Sequence, residues 1–266
     1  MPELPEVETI ANGVHTRISG QWIEQVWLGS KREPFKSSRA LIEQTLTGRR
    51  IDRIHRVGKT IVVDLDGGGQ FLVHLGMTGR LLVSAAEVPV PPHTHAVLKL
   101  RDGRELRFVD ARRFGRLSVL PAGGFTGTGR EPLTISLDEF VALFRGRKTP
   151  IKSALLNQKL LHGVGNIYAD ESLFHAGICP LRQAGRLGRA ELERLHQALQ
   201  MVLRNAISLG GSSVSDYVDA DGIRGFFQLE HRVYMRTGEM CLICHTLIRR
   251  TIVAGRGTHY CPVCQR

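Results

Sequence analysis

Four of the five cysteines fall within residues 241–264, as Cys241-x2-Cys244 and Cys261-x2-Cys264 with sixteen residues between the pairs. Each pair can present two thiolates from one tight turn, and two such turns on facing hairpins complete a tetrahedral site. The spacing lies within the range of about 15–20 residues typical of zinc ribbons. It therefore predicts one structural Zn2+ bound by Cys241, Cys244, Cys261 and Cys264, with Cys179 apart. Four thiolates leave no open position for catalysis, so the metal serves to fix a hairpin too small to fold alone.

That hairpin is basic. Residues 231–266 hold six arginines and a single acid, Glu239. Arg256 sits between Gly255 and Gly257 near the expected tip. Its spacing suits a phosphate contact and a solvated turn equally well. The whole chain carries the same bias, with Lys and Arg totalling 36 against 25 for Asp and Glu, a net charge of +11. Such a balance predicts attraction to a polyanion, nucleic acid above all. At 42% hydrophobic residues over 266 positions the chain can still bury a real core. No apolar run approaches the ~18 residues of a membrane span. The opening MPELPEVETI lacks the basic-then-apolar layout of a secretory signal. The expected location is cytoplasmic, on the nucleoid through DNA.

Periodicity divides the rest. Residues 4–18 read as a helix, with Pro5 in its first turn and Val7, Ile10, Val14 and Ile18 at helical spacing. The period then changes to two. Residues 61–65, 70–75, 96–100, 105–109 and 116–120 are short β-rich runs, punctuated by hairpin signals at Asp66–Gly69 and Asp102–Gly103. The pattern predicts a sandwich or barrel carrying one N-terminal helix. Residues 122–132, rich in glycine and proline, read as a linker. Beyond them the period is helical. Leu192, Leu195, Leu199, Val202, Leu203 and Ala206 line one face of a helix that stops at Gly210–Gly211. The turn His162-Gly163-Val164-Gly165-Asn166 lacks the third glycine of a dinucleotide fingerprint, and on spacing alone Asn166 reads as a helix N-cap.

Six motifs in order resemble the formamidopyrimidine-DNA glycosylase family: Met1-Pro2-Glu3-Leu4-Pro5-Glu6, His74-Leu75-Gly76-Met77-Thr78-Gly79, Asp110-Ala111-Arg112-Arg113-Phe114-Gly115, the asparagine turn, Gly210-Gly211-Ser212-Ser213 and the C-terminal AGRGTHYCPVCQR. The resemblance implies an α+β fold: an N-terminal β-sandwich with its helix (1–121), a linker (122–132), a helix–two-turn–helix domain (133–230) and a zinc-ribbon β-hairpin (231–266). It implies that Met1 is removed and that the Pro2 amine attacks the sugar. Glu3 is then the acid and base, and Lys59 and Arg256 hold the phosphate beside the lesion. Asn166 becomes a second phosphate clamp, with His74, His93, Arg113 and Tyr234 as further DNA contacts. Met77, Arg112 and Phe114 fill the hole left by an extruded base, although Met77 and Phe114 read equally as core side chains. Residues 213–227 correspond to the loop expected to cover that base.

The function so implied is bifunctional: excision of oxidised purines such as formamidopyrimidines and 8-oxoguanine from duplex DNA, then cleavage at the abasic site by β,δ-elimination. The enzyme is expected to act as a monomer. Two rivals stand beside it. Leu4 together with Met77, Arg112 and Phe114 argues against an endonuclease VIII-like preference for oxidised pyrimidines. Intact Pro2, Glu3 and Lys59 argue against a lesion-binding protein without catalysis.

Overall fold

The computed structural model describes residues 1–213 and 217–266. It divides into two compact units, Met1–Thr126 with Leu209–Phe226, and Gly127–Ser208 with Phe227–Arg266.

The first unit is built on α1 (Leu4–Ile18), β1 (Ile23–Leu28), α2 (Arg39–Leu46), β2 (Ile51–Val57), β3 (Thr60–Leu65), β4 (Gln70–His74), β5 (Arg80–Ala85), β6 (Thr94–Leu100), β7 (Arg104–Val109) and β8 (Arg116–Leu120). The strands form two four-stranded antiparallel sheets, ordered β1-β6-β7-β5 and β2-β3-β4-β8. One apolar core joins both sheets to α1. It takes Val7, Ile10 and Val14 from the helix, Ile61, Val63 and Phe71 from one sheet, and Leu81, Leu98 and Phe108 from the other. Tyr217 and Ala220 belong to the same core. Residues 209–226 therefore pack with the sandwich, although they follow the long helix of the other unit in sequence.

The second unit holds α3 (Leu137–Phe144), α4 (Ile151–Leu155), α5 (Asn166–Ala176) and α6 (Arg189–Ser208), then the hairpin of β9 (Arg249–Val253) and β10 (Arg256–Tyr260). The leucine stripe expected on α6 is buried, and the helix gives way to Gly210 and Gly211, both at positive φ. At the division, the Phe125 N–H donates to Gln70 Oε1 and the Arg130 N–H to Leu160 O. Each end of the glycine-rich stretch is thus tied to its own unit.

Candidate active site and nucleic-acid interface

Pro2, Glu3 and Glu6 are buried at the start of α1. A capping box closes the helix, with Glu3 as N-cap and its N–H donating to Glu6 Oε2 at 2.8 Å. Glu6 does a second task, because its Oε1 accepts the Ser212 N–H at 2.8 Å. Gly211 lies against this carboxylate at φ +82°, and a Cβ there would stand 3.0 Å from Glu6 Cγ. Gly211 and Ser212 are thereby anchored beside the N-terminus. Val214, Ser215 and Asp216, within the stretch expected to cover the base, lie outside the described residues.

Lys59 stands in the two-residue turn between β2 and β3, opened by Gly58 at φ +61°. Glycine at the first central position suits the turn types that match strand twist. Arg56 donates to Gly58 O at 3.1 Å and pairs with Glu8 of α1 at 2.6 Å. These two bonds tie the lysine's turn to the helix that carries Pro2 and Glu3. The α-amino group of Met1 is held below its usual value, chiefly by burial; Lys59 and Arg112 push the same way, while Glu3 and Glu6 oppose. His74 is also held below its usual value, by burial first and then by Arg116 and Lys59. Its Nδ1 accepts the Gly76 N–H at 3.1 Å, which leaves Nε2 to carry the proton of the neutral ring.

Met77, Arg112 and Phe114 do not join the core. Met77 is 42% and Phe114 53% exposed, and the Arg112 guanidinium stacks 4.9 Å from the Phe114 ring centroid. The loops that carry them converge on Asp110, whose side chain is fully buried. Asp110 accepts the N–H groups of Arg112 (3.2 Å) and Gly115 (2.7 Å) and the Thr78 hydroxyl (2.5 Å). Its backbone is held as well, since its N–H donates to His93 O at 3.0 Å and its carbonyl lies 2.9 Å from His95 Nε2. His93 and Arg113, both exposed, adopt left-handed φ values of 65° and 58° on either side of it. Such backbone is uncommon for residues other than glycine. Arg113 pairs with Glu33 at 2.8 Å.

In the second unit Gly165 takes the N-cap position and Asn166 is the first helical residue of α5, so the asparagine does not cap the helix. Its Nδ2 instead donates to Gly257 O at 2.9 Å, next to Arg256 on the hairpin. Ala254 and Gly255 form the two-residue turn between β9 and β10, both at positive φ, and Arg256 is exposed immediately after it. Behind this corner lies a buried polar cluster that motif reading missed. Lys152 Nζ donates to Gly257 O (3.0 Å) and Thr258 Oγ1 (2.9 Å) and pairs with Asp170 at 2.7 Å, both charged side chains being fully buried. Asp170 also accepts the His259 N–H at 2.9 Å. Glu171 accepts three consecutive N–H groups, of Arg232, Val233 and Tyr234, while burial pushes its carboxyl above the usual range. The Tyr234 ring packs edge-on against His231 and His259. Of this cluster, the sequence reading named only Tyr234, as a DNA contact.

The four predicted thiols come together. Their sulfurs all lie within 4.8 Å of one another, with Cys241–Cys264 at 3.8 Å and Cys244–Cys261 at 3.4 Å. Zinc–sulfur bonds of ~2.3 Å in a tetrahedron separate the sulfurs by about 3.8 Å. The donor set therefore fits one structural zinc, and Cys179 is no part of it. Gln265 steadies the second turn, accepting the Cys261 N–H at 2.8 Å and donating to Ile178 O at 3.0 Å.

Three family models match in chain order: the formamidopyrimidine-DNA glycosylase N-terminal domain over residues 1–117, the H2TH domain of the same family over 128–218, and a zinc finger found in FPG and IleRS over 238–266. The chain belongs to the formamidopyrimidine-DNA glycosylase family. A relative from Solibacter usitatus, named formamidopyrimidine-DNA glycosylase, is 47% identical, with both chains covered in full. Among solved structures, the MutM (Fpg) protein of Thermus thermophilus is 41% identical with a TM-score of 0.88, covering 99% of this chain and 98% of that one. A Lactococcus lactis Fpg mutant in complex with Fapy-dG-containing DNA is 33% identical with a TM-score of 0.90, each chain covered in full. No helix among the described residues is long and apolar enough to cross a membrane.

Proposed function

We propose that this protein excises oxidised purines, formamidopyrimidines and 8-oxoguanine, from duplex DNA and then cleaves the strand at the resulting abasic site. The observation that carries the chemistry is the setting of the N-terminus. A buried carboxylate, Glu3, lies beside the chain start, where the Met1 amine is held toward the neutral form, chiefly by burial and against the charges of Glu3 and Glu6. Removal of Met1 turns Pro2 from an amide into a secondary amine in that setting. Its lone pair attacks the anomeric carbon, the bond to the damaged base breaks, and the base leaves with the electron pair and takes up the proton that the Pro2 nitrogen sheds. Glu3 protonates the sugar ring oxygen as the ring opens to the iminium ion. The iminium draws electrons from the neighbouring C–H bond, which permits β- and then δ-elimination of the two phosphates.

The DNA contacts follow from charge and exposure. Lys59, His74, His93 and Arg113 on the sandwich, and Asn166, Tyr234 and Arg256 on the helical unit, are assigned to the phosphate backbone, which positions without reading sequence. Asn166 contributes through the first turn of α5, where the helix dipole favours an anion. Met77, Arg112 and Phe114 enter the duplex where the base leaves, and their exposure supports that role over a place in the core. Such an enzyme works as a monomer in the cytoplasm, on the DNA of the nucleoid.

Borohydride trapping on a duplex containing 8-oxoguanine tests the reading. The processed protein should form a covalent adduct, and Pro2→Gly should lose most of it while still binding the duplex. Tight binding by the processed wild-type protein without any adduct would make it a lesion binder rather than an enzyme.

A further inference from the structure

Met77 and Phe114 stand on separate loops, but the two backbones touch. At Gly76, φ +63°, an added Cβ would lie 2.5 Å from both Gly115 N and the Phe114 carbonyl carbon. Gly115 is equally crowded, with Phe108 Cζ 2.4 Å from the position of a Cβ. The hydrogen bonds that cross from residues 76–79 to residues 110–115 both pass through the Thr78 hydroxyl. It donates to Asp110 Oδ1 at 2.5 Å and accepts the Arg112 N–H at 3.4 Å. The same carboxylate closes the second loop on itself through Arg112 and Gly115. One hydroxyl and one buried carboxylate thus set the register between the two loops.

We infer that Thr78 and Asp110 are positioning residues that hold Met77, Arg112 and Phe114 as one preset wedge, so that the three enter the duplex together. This rests on the proposed role of those three side chains. Pre-setting matters because groups ordered on folding need not be ordered again on binding. The Thr78–Asp110 bond is partly buried, so removing the hydroxyl takes from Asp110 Oδ1 one of its two hydrogen bonds and frees one loop to shift against the other.

The test compares single-turnover rates at saturating enzyme on two duplexes, one with 8-oxoguanine paired to cytosine and one with an abasic site at the same position. Saturation removes affinity from the readout, and the ratio of the two rates isolates base extrusion. Thr78→Val keeps the side-chain volume and should lower that ratio about tenfold, the order of one lost hydrogen bond to a charged group. Thr78→Ser loses a methyl but keeps the hydroxyl, and should restore the ratio; a loss of packing alone would not be rescued this way. Phe114→Ala should also lower the ratio, and the double variant with Thr78→Val should fall no further, since both act on one step. An unchanged ratio for Thr78→Val beside a lowered one for Phe114→Ala overturns the inference and leaves the wedge intact, as does a double variant in which the losses multiply. An unchanged ratio for Phe114→Ala overturns the wedge reading itself.

Discussion

Asp110 in the sandwich and Asp170 in the helical unit are both fully buried carboxylates that hold a surface loop in place, yet they are met by different partners. Asp110 takes a hydroxyl and backbone N–H groups, and among the described residues no cation pairs with it. Asp170 takes the Lys152 ammonium and His259. The surroundings explain the contrast. The sandwich loops rest on a large apolar core drawn from two sheets and a helix. Among the described residues the cluster beneath the ribbon has Phe174, Val233, Cys241, Ile248 and Cys261 as buried members, two of them zinc ligands. Where apolar area is plentiful, hydrogen bonds from uncharged donors suffice to place a loop. Where it is scarce, a metal and a buried ion pair hold the tip that carries Arg256.

Zinc removal should break the comparison most sharply. Structural zinc in small fingers is worth about 10–16 kcal/mol of apparent binding energy, so chelation should unfold the ribbon and abolish duplex binding. Both tryptophans, Trp22 and Trp27, lie in the first unit, and their emission should report a sandwich little changed. Metal analysis, emission and duplex binding measured on one sample check this. Metal-free protein that still binds DNA would show that the ribbon does not depend on its metal.

Lys152→Met comes next. Breaking a buried ion pair costs about 3–5 kcal/mol, because the remaining charge is stranded. The denaturation midpoint followed by helical circular dichroism should fall, while the transition followed by tryptophan emission moves less. Lys152→Met with Asp170→Leu should recover much of the loss. If the single variant denatures like the wild type, the pair is not what holds the hairpin.

The smallest effect sharpens the same contrast through pH. His231, packed between Phe227 and Tyr234, is pushed down to about 4, first by burial. A folded value below the unfolded one near 6.5 means that its contribution is complete above pH 6.5 and is lost as pH falls toward 4. The loss should reach roughly 3 kcal/mol. His231→Phe should flatten that part of the stability profile, and the difference between the two proteins separates the histidine from acid release of zinc. Parallel profiles for both would remove His231 from the account.

How legible these features are depends on where each element lies. The interior strands β3, β4, β6 and β7 read directly as apolar runs with hairpin signals between them, as does β8. The sandwich strands that the period does not reveal, β1, β2 and β5, are all sheet edges. β2 carries Asp52, Arg53, His55 and Arg56 within seven residues, because an edge buries less of its surface and tolerates charge. Helix α5 hides for the opposite reason. It is buried nearly all round, including Asp170, Glu171 and Ser172, and so shows no single apolar stripe. Helix α6, half exposed, shows one and is legible almost to its ends.

The sequence by itself determined what depends on residue type and short spacing. That includes the four zinc thiols, the strand and helix periods, the turn glycines, and the family motifs that name Pro2, Glu3, Lys59, Asn166 and Arg256. Only the tertiary structure decided that Met77 and Phe114 stand in solvent, that Asn166 bonds to the hairpin instead of capping its helix, and that residues 209–226 return to the sandwich. It alone revealed Asp110 and Lys152 as the groups behind the working loops. A buried polar side chain must find partners wherever the fold supplies them, and Lys152 finds Gly257 and Thr258 more than a hundred positions away. Local pattern carries no trace of such a pairing, because the penalty for leaving the group unmet arises only once water has been excluded around it.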